Sequence, residues 1–169
     1  MRPLLKTIVL FSITSLASHT QAGSLISQTT ISLDFSLQVA KAGIDSCLKN
    51  GYSTSVAILD KNGTLKALLT ADGAFLHSAE VSRKKAYTSL SRQLPSHLVE
   101  NHIKQNNDYN AAMNFNMAGM STWGGGMPIV FNEEVVGAIG ISGAPGGPKD
   151  VECAEAALEI ANELLEKDA

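Results

Sequence analysis

His77 is the side chain in this sequence whose type and place most readily carry chemistry. It sits between a run that reads as a strand ending near Leu69 and a helical pattern opening at Ser78, and side chains at such junctions often reach a cleft. A neutral imidazole titrates near physiological pH and is a common axial ligand for haem iron, so His77 is the candidate metal ligand. The bland alternative is a histidine that packs or caps at the helix start. Arg83, Lys84 and Lys85 follow, and adjacent helical residues point in different directions, so the three cannot all face one pocket. Lys84, seven residues after His77, returns to its side of the helix and could meet a ligand carboxylate, with Lys85 as the neighbouring candidate. Against this, Glu80 and Lys84 have the spacing of a solvated i,i+4 pair.

Met113, Met117 and Met120 recur at helical spacing. A thioether such as that of Met117 can ligate haem iron or Cu(I), although gap-filling by flexible side chains explains the same spacing. Gly143 to Gly147, with Gly146 inside it, could offer backbone N–H groups to an anion ahead of a helix opened by Asp150. The loop lacks the Gly-Lys-Ser/Thr ending of a phosphate loop and the spacing of a dinucleotide fingerprint. Gly140-Ile141-Ser142-Gly143-Ala144 ends in Ala where a nucleophile elbow needs Gly, so a serine hydrolase is unsupported. His97 and His102, five apart, miss the i,i+4 spacing of helical zinc sites and read as surface residues.

The elements that must position these groups follow from hydrophobic period and turn chemistry. Ser32 can cap a helix whose face carries Leu33, Leu37, Ala40, Ile44 and Cys47, stopped by Gly51. Val56 to Leu59 and Thr64 to Leu69 form a hairpin across Asp60 to Gly63. Ser78 can cap the next helix, Pro95 ends it, and Ser96 opens a shorter one. Gln105 to Asn116 is Asn-rich and reads as a loop over the surface or over a pocket. Met127 to Phe131 and Val135 to Ser142 make a second hairpin, and Asp150 caps a last helix carrying Val151, Ala154, Ala157, Leu158, Ala161 and Leu165 along one side. The expected fold is α+β: helices on an antiparallel sheet of four or five strands.

The first 22 residues read as a secretory signal peptide: Arg2 and Lys6, then an apolar run from Thr7 to Ala17, then small residues ending at Ala22. That run is shorter than the roughly 20 residues a membrane span needs, so stable membrane insertion is not expected. Residues 23–31 form a flexible lead, and residues 32–169 a single domain in the periplasm or outside the cell. Cleavage leaves 147 residues with 11 basic and 16 acidic side chains, a net charge of −5. With no basic stripe, nucleic acid is excluded as a partner. Cys47 and Cys153 could pair in an oxidising compartment, or remain small hydrophobes within helical patterns.

Several strings together resemble the GlcG/HbpS-like family. They are His77-Ser78 followed by Arg83-Lys84-Lys85-Ala86-Tyr87-Thr88, then Gly125-Gly126-Met127-Pro128-Ile129, then Glu134 to Gly147. The resemblance runs from about Leu33 to Leu165 and implies a profilin-like α/β fold, homo-oligomers and, in some members, haem or corrinoid binding, with haem degradation and iron binding also attributed to the HbpS branch. It departs from commoner members at Gln105 to Met120. The expectation is therefore an exported haem-binding protein in which His77 ligates iron, Lys84 meets a propionate and the stretch Val135 to Ile141 forms part of the wall. A small organic-acid sensor or carrier, using the glycine-rich loop without iron, is the alternative. A haem-degrading enzyme is the third, although the sequence supplies no recognisable nucleophile, paired carboxylates or complete metal site.

Overall fold

A computed structural model describes residues 27–167. The signal peptide at 1–22 and the first part of the lead lie outside these residues.

Four strands make one antiparallel sheet in the order β2-β1-β4-β3: β1 (Ser55–Asp60), β2 (Leu65–Thr70), β3 (Gly126–Phe131) and β4 (Glu134–Ser142). The two expected hairpins therefore lie side by side, joined where β1 pairs with β4 from Ser55↔Ser142 to Asp60↔Gly137. Each turn has its own device. Asp60 Oδ1 accepts the N–H groups of Asn62 and Thr64 at 2.9 Å each. Asn132 and Glu133 both take positive φ, the backbone of a tight hairpin turn whose twist matches its strands.

Helices α1 (Leu33–Lys49) and α5 (Gly147–Lys167) cover one face of the sheet and α2 (Ser78–Arg92) the other. The α1/α5 side holds the main core, with Val56, Ile58, Ile139 and Ile141 meeting Val39, Ala40, Ala154 and Ala157. A cross-link between Cys47 and Cys153, with Cα atoms 5.4 Å apart, joins the two helices and answers the question the sequence left open.

The buried stripe of α1 differs from expectation. Phe35, Val39, Ala40, Gly43, Ile44 and Cys47 face inward, whereas Leu33 and Leu37 are exposed. The helix is turned so that Gly43 meets the sheet, where a Cβ would lie 2.9 Å from Ile141 Cδ1. Just before the Ser32 cap, Ile31 is buried over Gly137.

The α2 face is built from small groups: the helix presents Ser78, Ser82, Ala86 and Ser89, and the sheet presents Ala138 and Gly140. A Cβ on Gly140 would sit 2.0 Å from the Ser82 carbonyl oxygen, and one on Gly126 2.2 Å from that of Lys85. These glycines are cross-strand partners. Backbone rests directly on backbone at this point, which only paired glycines allow.

The middle third carries two further helices, one of which departs from the sequence reading. α3 (Ser96–Asn106) begins at Ser96 as expected, but the Asn-rich stretch is not a loop: it carries α4 (Tyr109–Met117), capped by Asp108 Oδ1 on the Ala111 N–H at 3.0 Å. An Asn-rich sequence disfavours helix in isolation, and here the cap and packing on α3 decide.

Candidate functional site

Where β4 ends, Ser142, Gly143 and Ala144 turn into α5. Against them lie Phe75, His77 and Trp123, together with Gly146, Gly147 and Asp150, enclosing a pocket of about 150 Å³. Larger hollows exist elsewhere, but this one gathers the imidazole, two aromatic rings, the glycine loop and a carboxylate.

His77 occupies the cap position of α2 without bonding the helix end through its side chain. It is exposed, and its ring stacks on Phe75 with centroids 5.8 Å apart and an interplanar angle of 14°. Ser78, expected as the cap, points inward instead: its Oγ donates to the Phe75 carbonyl at 2.6 Å and lies 2.7 Å from Ser55 Oγ. That anchor ties the Phe75–His77 segment to the sheet. Leu76, between them, is fully exposed, and Phe75 and Trp123 keep about 60% of their surface open, so the pocket mouth carries an apolar rim.

Asp150 does not cap α5, which begins three residues earlier; it lies in the first turn and faces inward. Its Oδ1 accepts the Ala144 N–H at 3.0 Å and its Oδ2 accepts from Lys85 Nζ at 2.5 Å. Lys85 is fully buried, and Asp150 is nearly so. Burial pulls the Lys85 ammonium below the usual lysine range, and Asp150 opposes that pull. Burial likewise pushes the Asp150 carboxyl up against the opposing pull of Lys85.

This arrangement changes the reading of the glycine loop. The Ala144 N–H is bonded to Asp150, the Gly146 N–H to the Ala144 carbonyl at 2.7 Å, and Pro145 and Pro148 have none. The anion that the loop cradles is the protein's own Asp150.

Among the residues singled out from sequence, the structure brings His77 and Gly146 to one pocket. Lys85 lies beneath it with no exposed surface from which to touch a guest. Lys84 is not in the lining and pairs with Glu80 at 3.7 Å. Met117, on α4, is exposed and absent from the lining. The stretch Val135 to Ile141 forms central strand β4 and packs into the core, so the wall comes instead from Ser142 to Ala144. Phe75 and Trp123 were not expected at the site, since two separated aromatics in loops carry no spacing signal. Among the described residues, no three His, Cys, Asp or Glu side chains converge to hold a metal ion.

Residues 31–159 match the family described as haem degrading protein HbpS-like. The chain belongs to this family. A double glutamate-to-aspartate variant of HbpS from Streptomyces reticuli superposes with a TM-score of 0.75 at 27% identity, covering 87% of this chain and 97% of that one. GlcG of Escherichia coli is 29% identical over 104 residues, 62% of this chain and 75% of GlcG. The structure of a PduOC:haem complex matches with a TM-score of 0.71 over 78% of this chain and 95% of its own, at 22% identity, and so speaks for the fold. The HbpS-like α+β architecture expected from the sequence strings is thus found in the sheet and in its structural relatives.

Proposed function

We propose that this protein binds haem at the Phe75–His77 pocket, with His77 as the iron ligand. The observation that carries the reading is an imidazole on the rim of an aromatic, open pocket in an HbpS-like chain. The residues suit such a group. His77 has no hydrogen-bond duty at the helix end, and Phe75, Leu76 and Trp123 offer apolar surface. A pocket of about 150 Å³ is smaller than the roughly 300–1,000 Å³ that encloses a drug-sized molecule, so it accommodates one edge of a flat guest. Among the described residues no cation lines it, and acidic groups of the guest are best left in water. Bound haem would supply a redox-active iron whose reactivity its axial ligand sets. The chain's own part is to hold the imidazole and cover the ring.

Titrating the protein with haemin and recording the Soret band tests this. The expected result is a shifted band at one haemin per chain that is lost or weakened at least tenfold in His77→Ala; an unchanged titration in that variant overturns the proposal.

Binding of a small organic acid by the glycine loop is the second reading, and the self-satisfied loop leaves it less to work with. Haem degradation is the third. It has the family description in its favour, but of the pocket's imidazole and carboxylate the latter, Asp150, is already engaged by Lys85 and the Ala144 N–H. Release of iron or bilin products from the haem complex with a reductant would favour it.

We further infer export to the periplasm or beyond, supported by the disulfide between α1 and α5, which suits an oxidising compartment. The N-terminal sequence of protein recovered from its host checks this: a chain starting at Gly23 supports it, and one retaining residues 1–22 overturns it. The exposed Phe75, Leu76 and Trp123 support assembly into homo-oligomers, which mass under native conditions would reveal.

A further inference from the structure

A hollow larger than the His77 pocket lies away from it, between α3 and α4. It measures about 400 Å³ and is lined by Leu94, Leu98, Val99, Ile103, Ala111 and Phe115, with Arg92, His102 and Asp108 at its polar edge. The geometry points to a second binding site here, for an organic carboxylate with an apolar tail.

Two independent observations support that occupant. The first is that α4 is under-packed. It has nine residues, none of those from 110 to 117 is buried, and it packs chiefly on α3. A helix this short is marginal without tertiary contacts, and the apolar sides of Ala111 and Phe115 face a cleft that the protein's own side chains leave open. An apolar tail between Val99, Ile103 and Phe115 would supply the missing packing. The second is charge. Arg92 makes no ion pair with a carboxylate among the described residues, and its guanidinium carbon sits 5.8 Å from the Phe115 ring centroid. A planar cation held over an aromatic ring at the edge of an apolar cleft is suited to a carboxylate head group. Asp108 bears the opposite charge at the same edge, where one oxygen already caps α4. It opposes an anionic guest, and that opposition gives the proposal a sign that can be checked.

Dodecanoate serves as the probe, with dodecanol as its uncharged counterpart, in calorimetric titrations of the full mature chain. Dodecanoate binds one per chain. Arg92→Gln weakens it about tenfold, the scale of losing one charge-assisted contact. Asp108→Asn, which keeps a capping side chain, strengthens it. Dodecanol gains nothing from Arg92 and binds equally to both proteins. Arg92 and Asp108 are exposed, so neither change threatens the fold. Filling the cleft with Ala111→Trp abolishes binding, and backbone amides of α4 exchange more slowly when dodecanoate is present. Absence of binding, or binding indifferent to both charge changes and to Ala111→Trp, overturns the proposal. An assembly seen without dodecanoate and lost in Ala111→Trp would show that a second chain covers the cleft, which overturns the proposal.

Discussion

Lys85 Nζ lies 2.5 Å from Asp150 Oδ2, with side-chain exposures of 0% and 5%, so two opposite charges from α2 and α5 meet beneath the pocket almost without water. Asp150 also holds the Ala144 N–H, and the pair therefore fixes the course of the loop that forms the pocket wall. Burial acts against both ionised forms, and each charge depends on the other for compensation.

Breaking the pair from either side should cost about 3–5 kcal/mol in urea unfolding, whereas Lys85→Met combined with Asp150→Leu should recover most of it, because no charge is left stranded. The single variants should also slope oppositely with pH. In Lys85→Met, Asp150 keeps its desolvation and loses its cation, so its carboxyl rises further. Stability is then fully present below the ordinary value of 3.8 and lost as pH rises through the raised one, so this variant's deficit shrinks on acidification. In Asp150→Asn, Lys85 falls further below 10.5. Its contribution is complete above 10.5 and lost as pH falls through the depressed value, so that deficit shrinks on alkalinisation. Parallel slopes would contradict the pairing.

Lys85 also shows where legibility ended. Both hairpins, the start of α1 and the helical stripe of α5 were readable, because short apolar runs parted by turn residues, a capping serine and periodic apolar side chains are local signals. The burial of a lysine is not local. Its trace was the run Ser78, Ser82, Ala86 and Ser89, a stripe of small residues at helical spacing next to which Lys85 falls, matched by Gly126 and Gly140 on the sheet. Asp150 was readable as a helix-start residue, but not as the partner of a side chain 65 positions earlier. His77 and Gly146 were legible as site candidates by chemistry and turn type, whereas Phe75 and Trp123 reach the pocket through tertiary placement alone.

Gly140→Ala should destabilise the protein by at least about 1–3 kcal/mol, since its Cβ would enter the backbone of α2 rather than a flexible side chain. Gly126→Ala should behave alike, and the two costs should not add, because the same helix displacement relieves both. Urea midpoints of the single and double variants decide; additive losses would mean that α2 does not move as a unit.

Reduction of Cys47–Cys153 should lower stability by up to about 4–5 kcal/mol on the chain-entropy estimate for a cross-link spanning 106 residues. Cys47→Ala with Cys153→Ala should reproduce the reduced protein, and adding reductant to that double variant should do nothing. Equal urea midpoints for the oxidised and reduced wild type would show that α1 and α5 hold together without the bond.

Trp123 is the only tryptophan in the chain and lines the pocket beside His77, so occupation of that pocket should be readable in its emission. Haemin absorbs where tryptophan emits, and quenching should reach its limit at one haemin per chain. Phe75 stacks on His77 and offers a face to the guest, so Phe75→Ala should weaken haemin binding by about two- to tenfold, in keeping with roughly 0.5–1.5 kcal/mol for an aromatic contact. His77→Ala should cost more, since it removes the iron ligand itself. Dodecanoate, bound between α3 and α4, should leave the quenching curve unaltered. Full quenching at one equivalent that persists in both Phe75→Ala and His77→Ala would place the guest elsewhere on the protein and remove the pocket from consideration.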